Sequence, residues 1–137
     1  MSNRILGALA AALLVFASAG SAQGAASKEP ESHGLTLTQW IAELKSPAAQ
    51  SRNAAAYEIA GMGPAAAAAV PALIESLGDP APTVRFPVTV ALGEIGPAAK
   101  AAVPRLKEMM EEEINDDVAA AAKRALRRIQ PETATSQ

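Results

Sequence analysis

Few residues of this sequence could do chemistry. His33 is the single histidine and there is no cysteine. A thiolate nucleophile and a thiolate metal site are therefore excluded, and a transition-metal centre lacks a second strong ligand. His33 stands in the polar stretch "QGAASKEPESHG" (residues 23–34) with no base or metal partner in view, so it is expected to be a solvated loop residue. The acidic cluster Glu111, Glu112, Glu113, Asp116 and Asp117 invites a calcium reading, but it lacks the alternating ligands and central glycine of an EF-hand loop. Acids at a helix start complement its dipole, which accounts for Asp116 and Asp117 without a ligand. The basic run Lys123, Arg124, Arg127 and Arg128 is the counterpart near a helix end. A docking contact to an acidic protein or lipid surface is its other use. No catalytic set assembles from these groups, so the chain is expected to be no enzyme and to need no cofactor or metal.

The elements that must carry these residues are written as repeats. "GPAAAAAVPALIESL" (residues 63–77) returns at residues 96–110 as "GPAAKAAVPRLKEMM", identical at 10 of 15 positions. Pro47 and Pro80, Arg52 and Arg85, Ile59 and Leu92, Met62 and Ile95 keep the same offset. Val84–Val118, Leu92–Leu126 and Ile95–Ile129 continue it with one position more. Such a period marks a solenoid, in which each unit buries its apolar face only against a neighbour. Each unit divides into two helices. Thr36 and Gln39 have capping-box spacing ahead of Leu37, Trp40, Ile41 and Leu44, and a partner helix is expected over residues 49–60. Val84, Val88, Ala91, Leu92 and Ile95 form an apolar stripe that Val118, Ala122, Ala125, Leu126 and Ile129 repeat. Three helix pairs with no strand are expected. Pro64 and Pro97 each follow a glycine able to close the preceding helix, and Pro71 and Pro104 restart the chain, so the repeated phrase is a corner. Gly93, inside a helix pattern, implies close packing between units.

Composition agrees with closely packed helices. Alanine and aliphatic residues dominate, and the aromatic residues are Phe16, Trp40, Tyr57 and Phe86. Residues 1–22 read as a signal peptide: Arg4, a 13-residue apolar run (5–17), then small residues with Gly20 and Ala22 at the cleavage positions. That run is short for a membrane span, which needs about 20 apolar residues. Export to the periplasm or the medium is the expectation, with no membrane span after cleavage. Residues 23–34 read as a flexible leader, 35–130 as the repeat domain and 131–137 as a polar tail. Without Arg4 the chain has 11 basic and 14 acidic residues, a net charge of −3, and nothing suggests a nucleic-acid partner.

The stretch "LGDPAPTVRFPVTVALGEIGPAAKAAVPRL" resembles the HEAT-like repeats first described in phycobilisome lyases, and the resemblance covers roughly residues 35–129. It implies an all-α fold, a short right-handed α-solenoid of about three helix pairs. It also implies a ladder made of a turn aspartate and an arginine six residues later, here Asp79 and Arg85. The first unit keeps Arg52 but has Ser46 at the aspartate position, and the third has Glu113 followed by Ala119 in place of the arginine. Pro87 sits where an ordinary helix former is usual, so the helix around Phe86 is expected to bend or start late. Deoxyhypusine hydroxylases, built from such repeats, bind iron through His-Glu pairs, and this chain has none.

The resemblance further implies that the second helix of each pair lines a concave face used for a protein partner. Counting away from the apolar stripe puts Asn53, Ala56 and Tyr57 outward in the first unit, Phe86, Thr89 and Val90 in the second, and Ala120, Lys123, Arg124 and Arg127 in the third. The function expected is thus binding or scaffolding. A lyase or chromophore-handling role, by analogy with the family's name, and a purely structural assembly element are the alternatives.

Overall fold

The computed structural model describes residues 28–131. The expected signal peptide, the first part of the leader and the tail beyond Pro131 lie outside the described residues. Three helix pairs follow one another: α1 (Leu37–Glu43) with α2 (Ala49–Met62), α3 (Val70–Ser76) with α4 (Pro82–Ile95), and α5 (Val103–Glu112) with α6 (Asp116–Ile129). The chain is a short all-α solenoid. α4 is its middle, packed against α2 on one side and α6 on the other. Its stripe of Val84, Val88, Leu92 and Ile95 is fully buried, together with Ile59, Leu73, Leu77, Leu106 and Val118 from the neighbouring helices. Burial of this kind stabilises by roughly 1.5–3 kcal/mol per large side chain, and here it exists only because units stack.

The repeated phrase folds into the same corner twice. Gly63 and Gly96 close α2 and α4 at φ of +58° and +79°, a backbone region that a Cβ disfavours. Two 3-10 segments follow, Gly63–Ala69 and Gly96–Ala102, with Pro64 and Pro97 in their first turns. Ala66 and Ala99 break both at nearly identical angles, φ −90° and −88°. Pro71 and Pro104 then sit in the first turn of α3 and α5, where a missing N–H costs nothing. The stretch Ala49–Ser76 is long and apolar enough to cross a membrane by length and composition. In the fold it is divided by the first corner, and its buried residues Ala55, Ala56, Ile59, Ala66 and Leu73 join the shared core.

Three expectations need correction. The sequence pattern holds no strand, yet Glu31–Ser32 (β1) pairs antiparallel with Leu35–Thr36 (β2). The end of the expected flexible leader is therefore a small hairpin, turning at His33 (φ +49°) and Gly34 (φ +80°). Polar contacts hold it. Trp40 Nε1 donates to Ser32 O at 3.0 Å, Glu29 accepts from the Thr38 amide and hydroxyl, and Ser32 Oγ donates to Glu58. Second, His33 is exposed but not unpartnered: its Nδ1 lies 2.8 Å from Glu58 Oε2 on α2. Sequence distance hides this contact, since the partner is one helix away. Third, α4 does not start late. It runs through a buried Pro87, which has no N–H for the Thr83 carbonyl four residues earlier. Asn53 Nδ2 of the first unit donates to that carbonyl at 2.6 Å instead.

Candidate functional site

Two constellations of side chains repeat along the solenoid, one structural and one open to solvent. The structural one starts at the turn inside each unit. Arg52 Nε and Nη2 donate to Asp79 Oδ2 and Oδ1 at 2.7 and 3.1 Å, and Arg52 Nη1 donates to the carbonyls of Ser46 and Pro47. Asp79 Oδ1 also accepts the amide of Ala81, just ahead of α4. One unit later the set recurs: Arg85 Nε and Nη2 donate to Glu113 at 2.8 and 2.9 Å, Nη1 donates to the carbonyls of Asp79 and Pro80, and Glu113 accepts the Asn115 amide. Each arginine thus ties the turn of its own unit to the carboxylate of the next. Asp79 and Arg85 touch through the Asp79 carbonyl and belong to successive rungs.

The carboxylates of this ladder are held in their charged form. Burial pushes the Asp79 carboxyl up, but the Arg52 bonds, the Ala81 amide and the charges of Arg52 and Arg85 outweigh it and leave the pKa below the ordinary value. For Glu113 the Arg85 hydrogen bonds dominate, exceed the cost of burial, and lower the pKa. Both carboxylate side chains are nearly sealed from solvent, at 7% and 8% exposure, so salt screens these pairs less than ordinary surface pairs.

The open constellation is a groove of about 550 Å³ on the second-helix side, lined by Asn53 and Tyr57 of α2, Pro82, Thr83 and Phe86 of α4, Asn115, and Asp117 and Arg124 of α6. Tyr57 is half-exposed, whereas Phe86 is partly buried and packs on the core. Asn115 caps α6, its Oδ1 accepting the amides of Asp117 and Val118. Four of the expected face residues, Asn53, Tyr57, Phe86 and Arg124, meet here. Val90 lies outside this groove and lines a smaller recess of about 60 Å³ with Gly93, Glu94, Ala121, Arg124, Ala125 and Arg128. Lys123 and Arg127 line neither.

Thr89, expected on this face, is instead completely buried, its hydroxyl donating to the Arg85 carbonyl at 2.7 Å. Ala56, at the same repeat position in the first unit, is also fully buried. The reason is the solenoid itself: α6 covers this edge of α4, and α4 covers the same edge of α2. Gly93 marks how close the cover comes, since a Cβ built there would stand 3.1 Å from the Ala125 Cα. In the third unit nothing among the described residues covers the edge, and Lys123 and Arg127 stand exposed at the repeat positions of Thr89 and Gly93. Asn53 likewise has its amide engaged by Thr83. Sequence reasoning missed Pro82, Thr83, Asn115 and Asp117 as groove residues. Thr83 and Asp117 occupy one repeat position, so the register held a signal for them.

Among the described residues, no group of three or more histidine, cysteine, aspartate or glutamate side chains could hold a metal ion. A family model described as HEAT repeats matches residues 37–127. No curated protein and no solved structure matches the chain significantly.

Proposed function

Since this chain belongs to the HEAT-repeat family, we propose that it is an exported, non-catalytic scaffold that holds a protein partner in the groove between α2, α4 and α6. HEAT repeats generally mediate protein interactions. The observation that carries the reading is the groove, where a half-exposed Tyr57, a partly buried Phe86 and the Arg124 side chain line one depression. Aromatic residues and arginine supply a disproportionate share of interface energy. Export to the periplasm or beyond rests on residues 1–22 alone, and freedom from a membrane span after cleavage rests on the corner that divides Ala49–Ser76 and on the burial of its apolar side chains in the shared core.

The ends of the ladder favour a finite array over an assembly element that stacks chain on chain. Ser46 supplies no carboxylate for a preceding unit, and Ala119 supplies no guanidinium for a following one. The test is a capture experiment from the exported fraction, comparing the native domain with Tyr57→Ala and Arg124→Ala. Both variants are expected to lose the captured protein while keeping helix content by circular dichroism. Intact mass of the exported chain is expected to begin near Gln23. Capture unaffected by either substitution, or recovery of the chain from Met1 in the membrane, overturns the corresponding half of the proposal.

A further inference from the structure

We infer that the occupant of the groove is an acidic protein segment, with an apolar side chain on the shelf of Tyr57, Phe86 and Pro82 and a carboxylate on the Arg124 guanidinium. This deepens the binding role proposed above and rests on it.

The argument begins with how this chain uses arginine. Of the six described arginines, Arg52, Arg85, Arg105 and Arg128 are ion-paired, with Asp79, Glu113, Glu108 and Glu94 respectively. Among the described residues the other two, Arg124 and Arg127, make no ion pair, and both lie on α6. Arg127 has a structural reason to be there, since it occupies the uncovered edge that is Gly93 in the preceding unit. Arg124 sits before the last turn of α6, which holds Arg127 and Arg128, and the same repeat position is Val90 in the second unit and Tyr57 in the first. Of these three positions Tyr57 and Arg124 line the groove, so the third unit is the one that contributes a cation to it.

Charge fixes the direction of the occupant. Asp117 lines the same groove seven residues before Arg124, about 10 Å along the helix axis at 1.5 Å per residue. A carboxylate is repelled at the Asp117 end and attracted at the Arg124 end, where Glu94, the carboxylate lining the recess shared with Arg124, is already engaged by Arg128. Guanidinium matches carboxylate in a two-pronged bond, as Arg52 and Arg85 already do within this chain. An occupant with an apolar residue close to an acidic one satisfies both halves of the groove.

Panning a random dodecapeptide library against the immobilised full chain tests this. Enriched peptides are expected to carry aspartate or glutamate within a few positions of an aromatic or aliphatic residue. A fluorescein-labelled peptide of that kind is expected to lose roughly tenfold or more in affinity on Arg124→Glu, the loss expected for a charge-assisted bond, and to weaken with added salt. Urea denaturation checks that the variant is folded, which the exposure of Arg124 favours. Enrichment of neutral or basic peptides, no enrichment at all, or affinity lost in Tyr57→Ala but unchanged in Arg124→Glu overturns the acidic occupant while leaving the groove as a binding site. Selected peptides that bind both variants like the native chain overturn the groove itself. Co-sedimentation with phosphatidylglycerol vesicles that depends on Arg124 but not on Tyr57 assigns the cation to a lipid surface and also overturns the inference.

Discussion

A single arginine in this fold acts as a joint between units. Arg85 reaches the carbonyls of its own turn and the carboxylate of the next unit with one planar group. Arg85→Ala strands the buried Glu113 charge and is expected to destabilise the domain by about 1–3 kcal/mol in urea denaturation. Arg127→Ala removes an exposed side chain and is expected to change the midpoint little. Equal costs at the two sites refute the ladder as a source of stability. Acid acts on the same joint. Asp79 and Glu113 have folded pKa values below the ordinary 3.8 and 4.5, and Glu58 is lowered by Ser32 first and His33 second. Their contribution is full above those ordinary values and is lost as pH falls through the lower folded ones. Stability is thus expected to drop below about pH 4.5. In Arg85→Ala the depression of Glu113 is reduced to what the Asn115 and Ile114 amides supply, so its share of this acid-dependent loss is expected to shrink in urea midpoints measured between neutral and acid pH.

At the scale of elements, the corner decides how one helix pair is laid on the next. Gly96 has φ +79° and ψ −142°, with open space where a Cβ would go. A substitution there is therefore opposed by the backbone and by no neighbour. Gly96→Ala is expected to cost on the order of 1–3 kcal/mol. Gly61 also has open space, but it sits within α2 in ordinary helical conformation. Gly61→Ala is expected to stabilise the chain by up to about 1 kcal/mol. Opposite signs in thermal melts of the two variants support the corner as the element that requires glycine; the same sign refutes it. α4 shows a different dependence between elements: a proline in its interior is tolerated because Asn53, on another helix, takes the carbonyl that Pro87 abandons.

Across the described residues as a whole, the two outer units differ from the middle one. The hairpin lies over the first unit, tied by Trp40, Ser32 and Glu58. At the other end Lys123 and Arg127 occupy the edge that Thr89 and Gly93 bury in the second unit. Terminal repeats need a polar outer face to remain soluble. The double variant Lys123→Ala, Arg127→Ala is expected to self-associate with concentration in sedimentation velocity, with the native chain sedimenting as one species. A double variant that behaves like the native chain refutes the closing role of these cations.

Periodicity was enough to determine the three helix pairs, the two corners and the core stripes. The repeat that carries Gly63 to Gly96 and, with one position more, Val84 to Val118, and the apolar positions at helical intervals, are local properties of the chain. The capping box at Thr36 was legible for the same reason. What tertiary structure alone decided were contacts whose partners lie far apart in sequence. Arg52 chooses Asp79, Asn53 finds Thr83 and His33 finds Glu58, each across to another element. Which flank of each second helix is open was also invisible in one helix's pattern. Thr89 and Val90 are neighbours in sequence, yet α6 seals the first and leaves the second partly open. A helix pattern records distance from its own apolar stripe, whereas burial here is set by the next helix laid against it.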